Sequence, residues 1–444
     1  MRTFLLWACL ASLLTILPAA AQFEGEGGPK AWVACISDPP GARILVGHPM
    51  SQESWEKGVT PTRVPVYDLG HTPRELRFTF EKPGYEPYTS LVTVSAGDEV
   101  RLVARLEPRR FLTYVSDGKL VMANADGSTP TDVASLEQPL SWEAPVWIDG
   151  ARAVAVWAAG ELALYGPEGK RLGTAITPAQ AAQALGIQQP VALWGAVALP
   201  SGQGLVCLGA WGQGESAAFL CPIDGDSPAK VIAKGAVRVS AAPREDMVAV
   251  TTSEGTVVYG IRASGDVDIL SDLPGVSELT WSPDGSHVAA ALKGELYVGD
   301  GGFGKLIQVT ASEQAGPVDL VWHPSGKAVL CTIHRYLTVR SRWDEIWLVH
   351  APGVEGEPVL LVDGRGHPHS ASLAPLGFVP YSNRLAYRVG IPPDHRTYLT
   401  DLSQPGSNEV LLFNSGIPSW SEAVAGAPPV SEDAEVDEPE EDSA

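Results

Sequence analysis

A short aromatic-Pro-Gly motif recurs along this chain at intervals of about forty residues, and each copy precedes two short strand patterns. The clearest copy is Trp281-Ser282-Pro283-Asp284-Gly285, and the next is Trp322-His323-Pro324-Ser325-Gly326. A fixed period of this length, built only of short strands and turns, is typical of β-propeller blades. Because one blade cannot bury both faces of its sheet alone, the copies must pack around a shared axis. The repeats therefore predict an all-β ring.

Weaker copies extend the array in both directions. Six complete units can be aligned, and they begin at Pro145, Ala198, Val239, Leu279, Leu320 and Leu376. Residues 111–122 match a blade without its innermost strand, and residues 417–421 match an innermost strand without a blade. Pairing these two ends closes the ring and removes the open sheet edges that invite aggregation. We therefore predict a seven-bladed propeller over residues 111–421, with six blades as the alternative if one weak repeat is only a long loop.

The N-terminus has the pattern of a secretory signal peptide over residues 1–21. Arg2 supplies the positive charge, an apolar run follows at residues 4–17, and small residues precede Gln22. The apolar run is shorter than the roughly 20 residues that a membrane span needs. We expect an exported chain without a transmembrane segment after cleavage. An uncleaved anchor and lipidation at Cys9 are the alternatives.

The formal net charge is −21, and the C-terminal end carries much of it. Residues 422–444 contain nine acidic side chains and no basic one, so this segment is predicted to be a disordered tail. One interpretation is a solvated tail that keeps the chain soluble. The alternative is an arm that binds a basic partner or divalent cations. The acidic balance argues against nucleic-acid binding, which needs Lys and Arg to neutralise phosphates.

Four cysteines follow the predicted leader, at Cys35, Cys207, Cys221 and Cys331. Cys207 and Cys221 lie symmetrically about a predicted hairpin tip near Gly214 and could form a disulfide across neighbouring strands. The bond would close a loop of about 15 residues, worth about 3 kcal/mol. The alternative is two buried free thiols that behave as small apolar side chains.

Residues 31–108 form a separate all-β unit in which strand patterns alternate with Pro-Gly turns. Three motifs follow in order: Ser37-Asp38-Pro39-Pro40-Gly41-Ala42, Gly58-Val59-Thr60-Pro61 and Lys82-Pro83-Gly84-Tyr85-Glu86-Pro87. On these motifs the unit resembles the PEGA domain, a small β-sandwich-like module of bacterial envelope proteins. It departs from the family in the long loop at residues 48–57 and in Pro40, which replaces a Glu. The resemblance implies an exported bacterial protein attached to the envelope or to a surface polymer, and it implies no catalysis.

The larger domain resembles the WD-like repeats of the Tol–Pal periplasmic propeller family, on the aromatic-x-Pro-x-Gly turn at Trp281 and Trp322. This resemblance implies a protein-binding scaffold exposed to the periplasm. It implies that the motif residues build the blades and do not form a site.

Catalytic motifs are weak along the chain. Residues 299–304 match G-x-G-x-x-G in letters, but a strand pattern follows where a dinucleotide site needs a helix, so we expect a hairpin loop. The densest polar cluster spans residues 363–370, in which His367 and His369 could ligate a metal from one face of an extended segment. The alternative is a polar surface loop, because two ligands do not make a site. No cofactor is expected.

Three functional hypotheses remain open. The first is a non-enzymatic scaffold of the periplasm or cell surface, whose small module tethers it and whose propeller binds an envelope protein. The second is a carbohydrate- or peptidoglycan-binding protein, suggested by the PEGA resemblance and by 13 tryptophans that could stack on sugar rings. The third is an enzyme that uses the central channel, since fold constrains function only weakly.

Overall fold

Strands make up almost all of the regular structure, which confirms the all-β prediction: in a computed structural model, the described residues form 35 strands and one α-helix. It describes residues 29–51, 53–67, 69, 72–82, 85–107, 109–125, 127–140, 143–148, 153–223, 227–309, 317–338, 341–366, 372–380, 382–391, 394–402, 410–413 and 416–421. The chain divides into two units between Leu106 and Glu107. The predicted leader at residues 1–21 and the predicted tail at residues 422–444 lie outside the described residues. Within the described part, no helix has the length and apolar character needed to cross a bilayer.

The first unit contains seven strands in two sheets. The strands are β1 (Ala31–Asp38), β2 (Arg43–Gly47), β3 (Ser54–Val59), β4 (Thr62–Val66), β5 (Arg74–Glu81), β6 (Tyr88–Val94) and β7 (Glu99–Arg105). One sheet has the order β4-β1-β7 and the other β3-β2-β5-β6. Alternate residues are buried in both sheets, among them Val33, Cys35, Ile44, Phe78 and Phe80. Each sheet therefore buries one face, as in a β-sandwich.

The three motifs of this unit meet around the turn at residues 38–41. Thr60 Oγ1 accepts hydrogen bonds from the amides of Gly41 and Ala42, at 3.1 and 2.9 Å. Lys82 Nζ donates to the carbonyl of Pro40 at 2.6 Å. Residues that are far apart in the sequence thus satisfy the polar groups of one turn.

The second unit consists of seven four-stranded sheets, which confirms seven blades over six. Blade 1 contains β8 (Phe111–Ser116), β9 (Lys119–Asn124), β10 (Thr131–Ser135) and β35 (Ser419–Trp420). Blade 2 contains β11 (Val146–Ile148), β12 (Ala153–Ala158), β13 (Glu161–Tyr165) and β14 (Arg171–Ile176). Blade 3 contains β15 (Ala192–Ala198), β16 (Gly204–Trp211), β17 (Glu215–Pro222) and β18 (Lys230–Lys234). Blade 4 contains β19 (Arg238–Ala241), β20 (Met247–Thr251), β21 (Gly255–Ile261) and β22 (Val267–Pro274).

The remaining three blades follow the same order, with the innermost strand first. Blade 5 contains β23 (Val276–Trp281), β24 (His287–Leu292), β25 (Glu295–Asp300) and β26 (Ile307–Gln308). Blade 6 contains β27 (Val318–Trp322), β28 (Ala328–Thr338), β29 (Ser341–His350) and β30 (Val359–Asp363), followed by a 3-10 turn at Gly364–Gly366. Blade 7 contains β31 (Leu373–Phe378), β32 (Arg384–Ile391), β33 (Asp394–Asp401) and β34 (Val410–Phe413). The G-x-G-x-x-G segment connects β25 to β26, which confirms the hairpin.

The ends of the propeller close the ring as the sequence predicts. Strand β35 pairs antiparallel with β8, so that Ser419 lies opposite Thr113 and Trp420 opposite Leu112. The amide of Ser421 donates to the carbonyl of Phe111, and the amide of Phe111 donates to Ser421 Oγ, both at 2.8 Å. The chain therefore supplies the innermost strand of blade 1 from its far end.

A separate apolar core fills each seam between neighbouring blades. The seam between blades 2 and 3 contains Trp157, Phe219 and both Cys207 and Cys221. Helix α1 (Pro178–Leu185) covers it with the buried Ala181. Because every blade faces two neighbours, both faces of each sheet become buried, and this is why the single repeats cannot stand alone.

The residues of the repeated motif form one tight turn, and the turn explains why they recur. In the clearest copy, Ser282 Oγ donates to Asp284 Oδ1 at 2.6 Å, and the amide of Ser286 donates to the same oxygen at 3.0 Å. Hydrogen bonds from Ser282 and Ser286 lower the pKa of Asp284 to about 2. Gly285 has a φ of 72°, which a glycine adopts without strain.

Candidate functional site

Blade 6 differs from the other blades in its two middle strands, β28 and β29, which have 11 and 10 residues. Pairing with β27 begins at Val318, opposite Thr332, and pairing with β30 ends at Asp363, opposite Glu345. Strands β28 and β29 continue to pair beyond these points. Residues 333–338 and 341–344 therefore form a two-stranded extension, here called the blade-6 ribbon.

Strand β28 runs antiparallel to the innermost strand β27, so the last residues of β28 lie beyond the first residue of β27. The ribbon therefore lies at the end of the ring where the innermost strands begin. We call this end the mouth, formed by the ribbon and the first residues of β19, β23, β27 and β31. Three groups of charged side chains occur there.

The first group is centred on Glu345 and is here called the Glu345 cluster. Arg335 Nε and Trp347 Nε1 donate to Glu345 Oε2 at 2.9 and 2.8 Å, and Trp343 Nε1 donates to Oε1 at 3.0 Å. The Arg335 guanidinium lies over Trp347, and that of Arg365 lies over Trp343, both at 5.9 Å. Burial would raise the pKa of Glu345, but the hydrogen bonds from Arg335 and the two indoles outweigh it and lower the pKa. The carboxylate thus holds both tryptophans in fixed orientations.

The second group occupies the opposite side of β29, since side chains alternate along a strand. Asp344 is fully buried and accepts from His334 Nδ1 at 2.7 Å and from the amide of Leu373 at 3.2 Å. Arg342 Nε lies 3.3 Å from the same carboxylate. Burial would raise the pKa of Asp344, and these partners lower it instead. Asp344 therefore joins the ribbon to the first residue of blade 7.

The third group joins blades 4, 5 and 6. Glu278 accepts from the amides of Asp319 and Leu320 at 3.0 and 2.9 Å. Arg238 Nη1 lies 2.7 Å from Glu278 and 3.8 Å from Asp319. Burial raises the pKa of Glu278, although Arg238 opposes the shift. The amides of Asp319 and Leu320 are free for Glu278 because β27 has an irregular register between Val318 and Val321.

Arg388 is a further charged side chain near the mouth. It lies on β32 opposite Ala374, the second residue of β31. Its Nε is buried and has no hydrogen-bond partner among the described residues.

The predicted metal candidates, His367 and His369, lie outside the described residues, so the metal site stays a prediction. Within the described ranges, no group of three or more His, Cys, Asp or Glu side chains is arranged to hold a metal ion. Three described histidines of blades 6 and 7 have other partners: His334 pairs with Asp344, His323 Nδ1 lies 2.8 Å from Ser325 Oγ, and His395 Nε2 contacts the carbonyl of Gly416 at 3.2 Å.

Cys207 and Cys221 are both free and buried, with their sulfurs 3.6 Å apart. The hairpin is centred one residue earlier than Gly214, which shifts the pairing by two residues: Cys207 lies opposite Phe219, and Cys221 opposite Leu205. The reason is that the last pair of the hairpin is Trp211 with Glu215. The cysteines lie diagonally on one face of the sheet, and the disulfide between them stays a prediction.

On the far side from the mouth, the described residues line clefts between blades 3 and 4 and between blades 4 and 5. One, of about 590 Å³, lies between blades 3 and 4 and is lined by Leu220, Pro222 and Ile261 with Lys230 and Asp246 at its polar positions. The other, of about 690 Å³, lies between blades 4 and 5 and contains one aromatic side chain, Phe303. Neither cleft has tryptophan among the described residues that line it.

The charged clusters at the mouth are not predicted by the sequence patterns described above. Trp343 and Trp347 are both only partly buried. The available signal was the pair Asp344-Glu345 inside an apolar strand pattern, since buried acids need partners. Arg388 gave no comparable signal.

Comparisons with known proteins give a fold likeness only. No family model and no curated protein matches the chain. The structure is similar to TolB from Acinetobacter baumannii, with 13% identity, a TM-score of 0.40, and 80% of this chain and 81% of that chain covered. It is also similar to a putative 6-phosphogluconolactonase from Bacteroides uniformis, with 14% identity, a TM-score of 0.42, and 70% and 99% covered. A third similar structure is the β-propeller domain of the Trilobed protease from Pyrococcus furiosus, with 10% identity, a TM-score of 0.41, and 78% and 95% covered. Likenesses at this level assign neither a family nor a function.

Proposed function

We propose that the chain is an exported, non-enzymatic binding protein of a bacterial envelope, and that its propeller binds another protein through the mouth. The blade-6 ribbon is the principal contact surface. The first unit is a PEGA-like module that tethers the chain to the envelope.

The Glu345 cluster is the observation that carries this proposal. Trp343 and Trp347 are partly buried, and Glu345 fixes both indoles through hydrogen bonds. Tryptophan and arginine are the residue types most enriched among those that dominate binding energy at protein interfaces. Because their orientations are already fixed, little conformational entropy is lost when a partner binds. A projecting ribbon with two such tryptophans suits a protein partner.

The acids of the mouth favour a binding role over catalysis. Glu345, Asp344 and Glu278 each accept hydrogen bonds that hold indoles, a histidine or backbone amides in place. A catalytic acid or base needs a proton that it can exchange with a substrate, and these groups are committed to structural partners.

The tryptophans of the cluster also favour protein over carbohydrate. Sugar rings stack on open aromatic faces, whereas Arg335 lies over Trp347 and Arg365 lies over Trp343. Carbohydrate binding is therefore less favoured than protein binding, and the test below distinguishes the two.

The convergence of the three motifs supports the assignment of the PEGA-like module. Thr60, Lys82 and the turn at residues 38–41 come from separate motifs, and they contact one another through hydrogen bonds. An exported chain agrees with the signal-peptide pattern at residues 1–21.

The test first uses the unmodified chain to capture its partner from envelope proteins. The affinity of that partner is then measured for Trp343→Ala and for Leu172→Ala. Leu172 is 54% exposed on blade 2, away from the mouth, and serves as the matched control. We expect Trp343→Ala to weaken binding about 30-fold, as for a hot-spot side chain worth about 2 kcal/mol, and Leu172→Ala to leave it unchanged. Equal binding by both variants, or retention of the chain by cell-wall polysaccharide freed of protein, contradicts the proposal.

A further inference from the structure

The two sheets of the first unit differ by one strand. One sheet has the order β4-β1-β7 and the other has the order β3-β2-β5-β6. Strands β3 and β4 lie beside each other at one side of the unit, and β6 and β7 lie beside each other at the other side. Because the sheets of a sandwich bury each other's inner faces, the smaller sheet has one strand fewer than the face it covers.

The side that lacks cover is the free edge of β7, which pairs only with β1 among the described residues. On β4, the inner side chains of Val64 and Val66 are 1% and 6% exposed. On β7, Val100 and Leu102 share a face with buried side chains of β1, yet both are only partly buried. Strand β4 also contains Pro65, a residue type that keeps sheet edges unpaired, and β7 contains no proline. A further strand beside β7 would therefore bury apolar surface.

The outer face of β7 carries positive charge. Arg101 and Arg105 are both exposed on this face, two turns of the pleat apart. Glu99 is the acid on the same face, and it forms an ion pair with Arg63 of β4. Asp38 lies opposite Arg105, whereas Arg101 forms no ion pair with a described residue. A strand that fits this edge should present carboxylates on the outer face and apolar side chains on the inner face.

One stretch of the predicted tail at residues 422–444 has this pattern. It reads Asp433-Ala434-Glu435-Val436-Asp437, so that acids alternate with apolar residues. Successive side chains of an extended chain point to opposite faces, and the three acids would therefore share one face. The acids at residues 438–442 do not alternate with apolar residues.

The tail also starts within reach of β7. Ser421, the residue before the tail, exchanges two hydrogen bonds of 2.8 Å with Phe111. Phe111 comes six positions after Arg105, the end of β7, and six residues span no more than about 21 Å. Twelve positions separate Ser421 from Asp433, enough for about 40 Å of extended chain. Because the tail is tethered at this point, its effective concentration at β7 is high.

We propose that residues 433–437 add to the three-stranded sheet as a fourth strand, antiparallel to β7. Antiparallel pairing needs the shorter connection, because the tail starts from the carboxyl end of β7. Asp437 then lies beside Arg101, and Val436 lies beside Leu102. A shift of one residue would turn all three acids towards the apolar inner face, so the alternation fixes the register.

A second copy of the chain fits this edge less well. Two β7 strands paired antiparallel about Val103 would place Arg101 of one copy opposite Arg105 of the other, and like charges directly opposite are destabilising. The tail brings opposite charge to the same positions. The inference does not depend on the proposed contact at the mouth, since it concerns the first unit and the tail alone.

Hydrogen exchange at the β7 amides of the full chain tests this inference. The variant D433K/E435K/D437K reverses the three alternating charges, and E440K/E441K/D442K is the matched control with the same change in net charge. Both variants leave the sequence of the described sheets unaltered. We expect the β7 amides that point away from β1 to exchange about tenfold or more faster in the first variant, and at the unmodified rate in the control.

Three results would overturn the inference. Equal exchange in the unmodified chain and in D433K/E435K/D437K would show that another segment, or none, covers β7. Equal acceleration in both variants would show a diffuse attraction of the whole tail without a specific strand. Protection that disappears on dilution of the unmodified chain would identify a second copy as the occupant.

Discussion

The seam between blades 2 and 3 and the seam between blades 7 and 1 are held together in different ways. The first buries Trp157, Phe219 and both cysteines beneath helix α1. In the second, one buried cluster contains Val379, Ala386 and Leu399, with Trp420 partly buried against it. There, Trp420 Nε1 donates to the carbonyl of Ala125 at 2.9 Å. Backbone pairing between β35 and β8 supplements this small core.

The difference shows that ring closure and seam packing are separate sources of stability. Apolar burial contributes in proportion to area, whereas a strand pair removes an open edge with little burial. Local opening begins where buried apolar contacts are few. We therefore expect the ring to open first between blades 7 and 1.

The largest expected effect comes from removing a side chain from the well-packed seam. Phe219 is fully buried, so Phe219→Ala should lower the free energy of unfolding by about 3–5 kcal/mol. Denaturation in guanidinium measures this loss. The exposed Leu172→Ala should change it by no more than about 0.5 kcal/mol. If Phe219→Ala lowered the free energy of unfolding by less than about 1 kcal/mol, the seam between blades 2 and 3 would not be the better-packed one.

Oxidation of the cysteines in the same seam should strengthen it. A bond between Cys207 and Cys221 closes a loop of about 15 residues and should add about 3 kcal/mol. Burial raises the pKa of the Cys221 thiol well above its usual value, so oxidation should be slow once blade 3 has folded.

Thiol labelling after unfolding tests this expectation. Protein folded under oxidising conditions should label at Cys35 and Cys331 only, whereas reduced protein should label at all four cysteines beyond the leader. Four labelled thiols in the oxidised sample would show that the sulfurs, 3.6 Å apart, remain unbonded.

A smaller loss is expected for Trp420→Ala at the closing seam. Because Trp420 is only partly buried, we expect a loss of roughly 1–3 kcal/mol, less than for a fully buried aromatic. Hydrogen exchange at the Ser421 amide, which bonds to Phe111, should become faster. A loss larger than that of Phe219→Ala would reverse the ranking of the two seams.

The smallest effect is expected outside both seams, at the turn of Asp284. Asp284 is exposed, so solvent screening limits the loss from Asp284→Asn to less than about 1 kcal/mol. The pKa is about 2 in the folded chain against an ordinary 3.8, so its contribution is present above about pH 4 and disappears as the pH falls towards 2. Unfolding curves of both proteins at pH 7 and at low pH measure it, and a difference that grows on acidification would contradict it.

The sequence predicts the blades and their closure because the signals for both are local. The turn around Asp284 is built from residues within five positions of one another, and residues 417–421 carry an inner-strand pattern. Helix α1 also had a local signal that was missed: Thr177 and Gln180 form a capping box, and Gly186 ends the helix with a φ of 68°.

The clusters at the mouth could not be predicted in the same way. Asp344 bonds to a residue 29 positions away, and Glu278 to one 42 positions away. Such partners come together only when whole blades pack against one another. The period of the repeat does not specify which polar groups then come into contact.

The pairing of β35 with β8 has a mechanical consequence. Phe111, where the chain enters the ring, and Ser421, where it leaves, are bonded to each other at the same end of this pair. A force that pulls these two points apart breaks the hydrogen bonds one after another from the loaded end. It does not load all of them at once in shear. The sheet of blade 1 should therefore separate at low tension between β35 and β8, while the apolar seams between the blades still resist.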